Sequence, residues 1–202
     1  MLKRLIDLLA SAAGLLLLCG PGLLVALAIK LDSPGPVFFR QQRVGRGGRL
    51  FAIHKFRTMR VGAEQQGLAI TVGDDARVTR LGHWLRRHRV DELPQLIDVL
   101  LGDMSLVGPR PEVPRYVALY PAELRERVLS VRPGITDPVS LAHLDEAARL
   151  AAAADPEREY IDVILPAKLA AAAAYADQAS WRTDLAVIWR TLGVLLGRRG
   201  AG

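Results

Sequence analysis

The stretch RRHRVDELPQLIDVLLGDMSLVGPRP, Arg86–Pro111, sets the reading of the whole chain. It opens on a basic cluster, Arg86, Arg87, His88 and Arg89, and two adjacent carboxylates follow, Asp91 and Glu92. Proline is best tolerated in the first turn of a helix, so Pro94 marks a helix start at or just before it. Leu93, Leu96, Ile97, Leu100 and Leu101 recur at i, i+3, i+4, i+7 and i+8, which predicts one buried apolar face. Gly102 is placed to end that helix. Asp91 and Glu92 then sit at a helix N-terminus, where backbone N–H groups and the dipole favour negative charge. GPRP follows as a rigid turn that presents Arg110. Carboxylate oxygens suit Mg²⁺ and guanidinium forks suit phosphate, so the pattern fits a divalent cation with a phosphorylated substrate. A capped helix beside a solvated basic face would carry the same residues, and this stretch alone does not separate the two.

Upstream, Leu8 to Ile29 contains no charged residue and is long enough to cross a bilayer as a helix. Gly20-Pro21-Gly22 interrupts the run at its middle, and both flanks are basic, with Lys3 and Arg4 before it and Lys30, Arg40, Arg43, Arg46 and Arg49 after it. The positive-inside rule assigns both flanks to the cytoplasm. A straight span cannot satisfy both flanks; a helix that enters one leaflet, bends at Pro21 and returns can. The expectation is therefore a re-entrant helix–break–helix with its bend at Gly20 and Pro21. A secretory signal peptide would have a shorter apolar core and a small-residue cleavage site.

The chain has 202 residues, a net charge of +6 and a single cysteine, Cys19, within the apolar run. That length allows one ordinary core. The charge points to a polyanionic partner, whether nucleic acid, anionic membrane or phosphorylated small molecule. One cysteine excludes an internal disulfide framework and agrees with a reducing, cytosol-facing compartment. No fixed-period repeat is evident, and the alanine tracts Ala151–Ala154 and Ala170–Ala174 favour helix.

After the turn at Ser33-Pro34-Gly35-Pro36, Val37–Val44 and Leu50–Phe56 read as two strands joined by a glycine-rich turn. Lys55 and Arg57 stand near the end of this hairpin, as phosphate ligands or as surface charge. Val61 to Asp75 reads as a loop, and Arg77 to about His88 as a helix whose apolar side is Val78, Leu81, Trp84 and Leu85. His83 and His88 lack metal-ligand spacing. Glu112 to Val131 is predicted helical, bent at Pro114 and Pro121, and Arg132–Pro138 a rigid turn carrying Arg132. Leu141–Ala154 and Pro156–Gln178 read as two more helices. In the last segment Trp181, Leu185, Ile188, Trp189, Leu192, Leu195 and Leu196 form one broad apolar face, suited to a membrane interface or to the protein's own core.

Five motifs stand in order: KRLID at Lys3–Asp7, SPGPVFFRQQRVGRGG at Ser33–Gly48, HKFRTM at His54–Met59, DELPQLIDVLLGDMSLVGPRP at Asp91–Pro111 and RPGIT at Arg132–Thr136. Together they resemble the bacterial sugar transferases, the monotopic phosphoglycosyl transferases, over about Lys3 to Thr136. The resemblance implies a mostly helical α/β protein on the cytosolic face of the bacterial inner membrane. Residues 1–32 would be a re-entrant membrane anchor and 33–202 a catalytic domain, carrying a small β-hairpin and interfacial amphipathic helices. It implies transfer of a sugar-1-phosphate from a nucleoside diphosphate sugar, usually a UDP-sugar, to a polyprenol phosphate such as undecaprenyl phosphate, starting lipid-linked glycan assembly. The Asp-Glu dyad of the family matches Asp91 and Glu92, with Mg²⁺ as cofactor. Lys55, Arg57, Arg86, Arg110 and Arg132 are the candidate phosphate ligands, inner-leaflet phospholipid is the expected surroundings, and nucleic acid is not an expected partner.

The sequence departs from the family pattern at the bend and after RPGIT. Gly20-Pro21 replaces the commoner Ser-Pro pair at the bend. Asp137-Pro138-Val139-Ser140-Leu141 replaces the usual run after RPGIT. Asp184 stands where members commonly carry an Asp after an aromatic residue or Ser. In the implied mechanism Asp91 attacks the β-phosphorus, giving an aspartyl phospho-sugar intermediate, and Glu92 helps hold the metal. The alternative from another class is a membrane-anchored nucleic-acid-binding or regulatory protein, with a helix–turn–helix at Arg77–Leu101. Against it, Asp91 and Glu92 would then face phosphates. Mg²⁺-dependent UMP release distinguishes the two.

Overall fold

The computed structural model describes residues 2–63, 70–73, 75–137 and 146–195. Helix α1 runs without interruption from Leu2 to Asp32, with Pro21 inside it. The break expected at Gly20-Pro21 is thus not an interruption of the helix. Proline's fixed φ is a helical one, and the ring costs the ladder one donor rather than its frame. At 1.5 Å per residue α1 is about 46 Å long.

The first half of this helix is polar on its inner face, and its outer face is apolar. Asp7 and Ser11 are buried, whereas Leu16 and Leu17 are 80% and 79% exposed. In water such a pattern would be costly; against lipid it is the stable one. The inner face runs along a helix α3 (Gln95–Leu101), and Gly14 lets the two approach: a Cβ there would lie 3.1 Å from Leu96. Towards its far end Val25 and Ile29 pack with Phe56, Leu85 and Val90. Both ends of α1 therefore rest on the same domain.

Strands β1 (Phe38–Val44) and β2 (Leu50–Phe56) form an antiparallel hairpin, pairing Phe38 with Phe56 and Val44 with Leu50. Its turn holds Gly47 and Gly48 at φ 66° and 80°, which glycine adopts without a Cβ clash. Helix α2 covers Arg80–Arg87, capped by the Thr79 side chain, which accepts from the Gly82 N–H. A 3₁₀ turn at Val90–Glu92 leads into α3, and Gly102 ends α3 at φ 92°. Strands β3 (Ser105–Val107) and β4 (Gly134–Thr136) pair in parallel. β4 had been expected as part of the rigid turn Arg132–Pro138 and β3 carried no strand expectation, because three residues carry too little periodicity to read as a strand.

The apolar face expected of α3 is not its buried one. Leu96 and Ile97 are half-buried, and Leu100 and Leu101 are 38% and 65% exposed. Gln95, Asp98 and Val99 point inward. Leu96 faces α1, while on the inward side Asp98 bonds to His54 and Val99 packs with Phe51, Ile53 and Met104.

The remaining elements form a helical module. The helix expected over 112–131 is two, α4 (Pro114–Val117) and α5 (Ala122–Leu129), each starting at or after its proline. α6 (Glu146–Ala152) covers part of the third predicted helix, and residues 141–145 lie outside the described ones. α7 (Pro156–Glu159) passes through a π turn, Tyr160–Ile164, into α8 (Leu165–Gln178). Tyr116, Leu150, Tyr160, Leu165 and Ala173 share one core. In α9 (Trp181–Leu195) the broad apolar face divides. Val187 and Ile188 pack with Val107 and Tyr175, while Trp181, Leu185, Trp189 and Leu192 stay exposed.

Two glycines should respond oppositely to a methyl group. A Cβ at Gly134 would lie 2.0 Å from the Gly108 nitrogen, backbone against backbone. Overpacking of that kind costs about 1–3 kcal/mol or more, so Gly134→Ala should lower the melting temperature of detergent-purified protein by at least about 2 °C. Gly20 meets nothing within 4 Å, and Gly20→Ala should leave the melting temperature unchanged or raise it. Equal effects from the two substitutions would contradict the β3–β4 pairing.

Candidate active site

Asp91 and Glu92 lie in the 3₁₀ turn between α2 and α3, both buried. The turn exists because Arg89 adopts a left-handed conformation, φ 53°, which reverses the chain after α2. It is the one non-glycine residue with positive φ among those described, and such conformations carry a strain that the surroundings must hold in place. Arg89 Nη1 lies 3.6 Å from Glu92 Oε2.

Two further cations converge on Glu92. Lys55 Nζ, from β2, donates to Oε1 at 2.9 Å, and Arg110 Nη2, from the GPRP turn after β3, donates to the same oxygen at 2.6 Å. Burial works against the Glu92 charge, but Arg110 and Lys55 outweigh it and hold this carboxyl well below the usual glutamate range. Burial pushes Lys55 down from its ordinary value, against the pull of Glu92. Glu92 raises Arg110 further, with Asp137 and Glu112 adding to it.

Asp91 has a different environment. Among the described residues it accepts no hydrogen bond; its neighbours act on it through charge alone. Burial pushes its carboxyl up, Lys55 opposes that, and the Glu92 charge adds to it. Arg86 stands nearby, its Nε donating to Thr58 Oγ1 at 2.9 Å and its Nη1 to Thr71 Oγ1 at 3.0 Å. The charges of Asp91 and Asp75 support it against desolvation. Two adjacent carboxyls are thus driven apart: Glu92 is fixed and ionised, and Asp91 is uncommitted.

Lys55, Arg86 and Arg110 therefore gather at the dyad. Arg57 does not. Its guanidinium donates to the carbonyl oxygens of Ser33, Pro34 and Pro36 and to Ser33 Oγ, pinning the turn after α1 and leaving little for phosphate. Arg132 lies at the other end of α3, where its Nε donates to the Gly102 carbonyl at 2.9 Å, beside Arg4 Nη2 on the Val99 carbonyl at 2.8 Å. Both arginines satisfy carbonyls that a helix C-terminus leaves open. Asp184 is likewise remote: it pairs with Lys3 and accepts from the Tyr175 hydroxyl at 2.6 Å, joining α9 to the start of α1. Arg86, within the stretch that the helix–turn–helix alternative covers, turns inward to two threonines.

Several supports were not apparent from the sequence. Asp98 accepts from the His54 backbone N–H at 2.8 Å, and its Oδ1 lies 2.5 Å from His54 Nδ1, tying β2 to α3 next to Lys55. Arg43 Nη1 donates to the Pro111 carbonyl at 3.0 Å, and the Gly134 N–H donates to the Pro109 carbonyl at 2.9 Å. These two bonds brace the turn that carries Arg110. The signal for Asp98 was present: Asp91, Gln95 and Asp98 keep helical spacing, the polar counterpart of the leucine pattern. Among the described residues no group of three or more His, Cys, Asp or Glu side chains converges as a metal cage. Two carboxylates, one of them uncommitted, do fit Mg²⁺, which keeps water or phosphate oxygens in most of its shell.

The fold and site thus combine a lipid-suited helix with a buried carboxylate pair in a cationic surround. The sequence matches the bacterial sugar transferase family over residues 1–198, and the chain belongs to that family. It is 45% identical over 144 residues, 70% of this chain, to the UDP-N-acetylgalactosamine-undecaprenyl-phosphate N-acetylgalactosaminephosphotransferase of Aeromonas hydrophila, covering 34% of that protein. It is 48% identical over 136 residues, 66% of this chain, to the UDP-glucose:undecaprenyl-phosphate glucose-1-phosphate transferase of Caulobacter vibrioides, covering 51% of it. With the exopolysaccharide production protein PSS of Rhizobium leguminosarum it shares 54% over 110 residues, 54% of this chain and 55% of that one. The chain thus spans between a third and just over half the length of these relatives.

The charge on Glu92 makes stability depend on pH. A carboxyl held low in the folded state stabilises fully above its unfolded value of about 4.3, and the effect is lost progressively as pH falls from there through the lowered folded value. Glu92→Gln should therefore melt below the parent at pH 7, and the gap should close on acidification below about pH 4. A gap that stays constant from pH 7 to pH 3.5 would show that Glu92 is not held ionised by Arg110 and Lys55.

Proposed function

We propose that this protein transfers a sugar-1-phosphate from a nucleoside diphosphate sugar, a UDP-sugar by the relatives' names, to undecaprenyl phosphate or a similar polyprenol phosphate. The carrying observation is the asymmetry of the dyad: Glu92 is locked between Lys55 and Arg110, and Asp91 is buried without a hydrogen bond among the described residues. A carboxylate without partners is free to act as a nucleophile once the repulsion of the diphosphate is neutralised. Arg86, Arg110 and Lys55 supply fixed positive charge for that purpose. Asp91 and Glu92 would hold Mg²⁺, which when bound adds charge neutralisation at the phosphoryl oxygens.

An Asp91 oxygen attacks the β-phosphorus, the phosphorus–oxygen bond to UMP breaks, and UMP leaves with the electron pair. The phosphate of the polyprenol then attacks the same phosphorus. The bond to Asp91 breaks, the carboxylate returns, and a polyprenyl diphosphate sugar is released. The relatives' names differ in the sugar, and the segment after Thr136 departs from the family pattern, so the sugar is left open here. This step would begin lipid-linked glycan assembly.

The membrane setting follows from α1. Its outward leucines suit lipid, both of its flanks are basic, and both of its ends rest on one domain. We therefore read residues 1–32 as a re-entrant anchor in the inner leaflet, bent rather than broken at Pro21, with 33–202 on the cytosolic face. The exposed Trp181, Leu185, Trp189 and Leu192 of α9 suit the same interface. One substrate is soluble and the other lipid-borne, so the site has to lie at that boundary.

Covalent transfer requires that UMP be released from a UDP-sugar before any polyprenol phosphate is present, up to one UMP per site, with ping-pong kinetics when both are supplied. A panel of UDP-sugars with Mg²⁺ tests this, and Asp91→Asn should abolish the burst. A ternary-complex rate law, with no phospho-sugar adduct on the Asp91 peptide in mass spectrometry, would reject the covalent route.

Topology is tested separately. Cysteines introduced at Leu2 and Asp32, both exposed and at opposite ends of α1, should resist an impermeant thiol reagent in intact spheroplasts and react after lysis. Labelling of either site from outside would rule out the re-entrant path.

A further inference from the structure

Three arginines from separate parts of the chain meet at the C-terminal end of α3. Arg4 of α1 donates to the Val99 carbonyl at 2.8 Å and to the Met104 carbonyl at 3.4 Å. Arg132, just before β4, donates from Nε to the Gly102 carbonyl at 2.9 Å. Arg49, just before β2, pairs with Asp103. A fourth, Arg46 in the hairpin turn, is exposed, and its side chain makes no bond among the described residues. The Nη atoms of Arg132 make none there either.

Charge does not balance at this place. Asp103 is held by Arg49, and Asp7 is buried and taken by the Ser105 hydroxyl and the Leu106 N–H. Burial pushes Arg132 below its ordinary value; the charges of Arg4 and Arg46, and less strongly Arg49, push it the same way against Asp7. Like charges gathered in this way repel one another, and an anion among them offsets the repulsion. Guanidinium groups with open N–H donors suit phosphate oxygens. The surroundings point to the source of that phosphate. Leu101 is 65% exposed, Leu50 beside Arg49 is 56% exposed, and Leu5 beside Arg4 is 53% exposed. These leucines continue the outward apolar face of α1, and acyl chains can cover them where a soluble anion cannot. The place is also separate from the transfer site, since Asp91 precedes α3 and Gly102 follows it.

We propose that Arg46 and the open edge of Arg132 bind the phosphate of an anionic phospholipid of the inner leaflet, with Arg4 and Arg49 adding charge behind them, and so seat the domain on the membrane beside the start of α1. The proposal rests on the reading of α1 as a membrane anchor. Each arginine facing an anionic lipid surface adds about 1 kcal/mol of attraction, so loss of one is measurable as a several-fold change in affinity.

Native mass spectrometry of the detergent-purified chain, titrated with phosphatidylglycerol or phosphatidylcholine, tests it. The parent should retain a single phosphatidylglycerol about tenfold or more tightly than phosphatidylcholine, whose choline offsets its phosphate charge. Arg46→Gln, at an exposed position, and Arg132→Gln should each weaken that retention about fivefold. Arg132→Gln also loses the bond to the Gly102 carbonyl, so if it melts below the parent, Arg46→Gln alone decides. Arg158→Gln, on α7 and also exposed, removes the same charge and should change nothing. An unchanged affinity in Arg46→Gln overturns the proposal, and so does an equal loss in Arg158→Gln, which would make the attraction one of net charge only. Displacement of the lipid by excess inorganic phosphate would make this a site for soluble anions and also overturn it. A parent that stays in membranes through an alkaline carbonate wash but shows no preference between the lipids overturns this proposal alone. A parent released by that wash overturns the anchor reading, and this proposal with it.

Discussion

The salt bridges on Glu92 are the constraint on which the rest of the site depends. A carboxylate at this depth is tolerated only when it is paired and hydrogen-bonded. Its partners come from distant parts of the chain, Lys55 on β2 and Arg110 beyond β3. Each partner must itself be held. Asp98 fastens β2 to α3 beside Lys55, and Arg43 and Gly134 brace the turn that carries Arg110. The short parallel pair β3–β4 thus exists largely to place one guanidinium. Losing either cation would leave a buried charge partly uncompensated, a defect that reaches every element it joins.

A second constraint is the inversion of polarity along one side of the molecule. Helix α1 and the leucines of α3 expose apolar side chains, while Asp7, Ser11, Gln95 and Asp98 are buried. The polar contacts of α1 tie it to the domain. Asp7 accepts from the Ser105 hydroxyl at 2.8 Å and from the Leu106 N–H, and Lys3 donates to the Val107 carbonyl at 3.1 Å. These three residues form β3, which leads directly into Arg110. The apolar helix is therefore a structural neighbour of the site as well as the proposed anchor. That explains why the KRLID motif at the start of the chain belongs with motifs a hundred residues away.

Much of this was legible in the sequence, because it follows from local chemistry. The 22-residue uncharged run, the strand pair with its glycine turn, the proline at the start of α3 and the glycine at its end each carry their own cause within a few residues. The acidic pair and its basic surround could be picked out in the same way, and three of the five expected phosphate ligands do gather there. The other two, Arg57 and Arg132, look the same in sequence. What separates them is which open carbonyls lie nearby, those of the Ser33–Pro36 turn for Arg57 and of the α3 C-terminus for Arg132.

The sequence by itself determined the hairpin, the start and end of α3, the lipid-suited helix and the chemical character of the site. Those depend on spacing, charge and the special backbones of glycine and proline. Only the tertiary structure decided which face of α3 is inside, since periodicity finds an apolar stripe but not what it faces. It also decided that Asp91 and Glu92 differ. Side by side in sequence, they are equivalent carboxylates; they part only because Lys55 and Arg110, brought from elsewhere in the chain, both reach one of them and leave the other free.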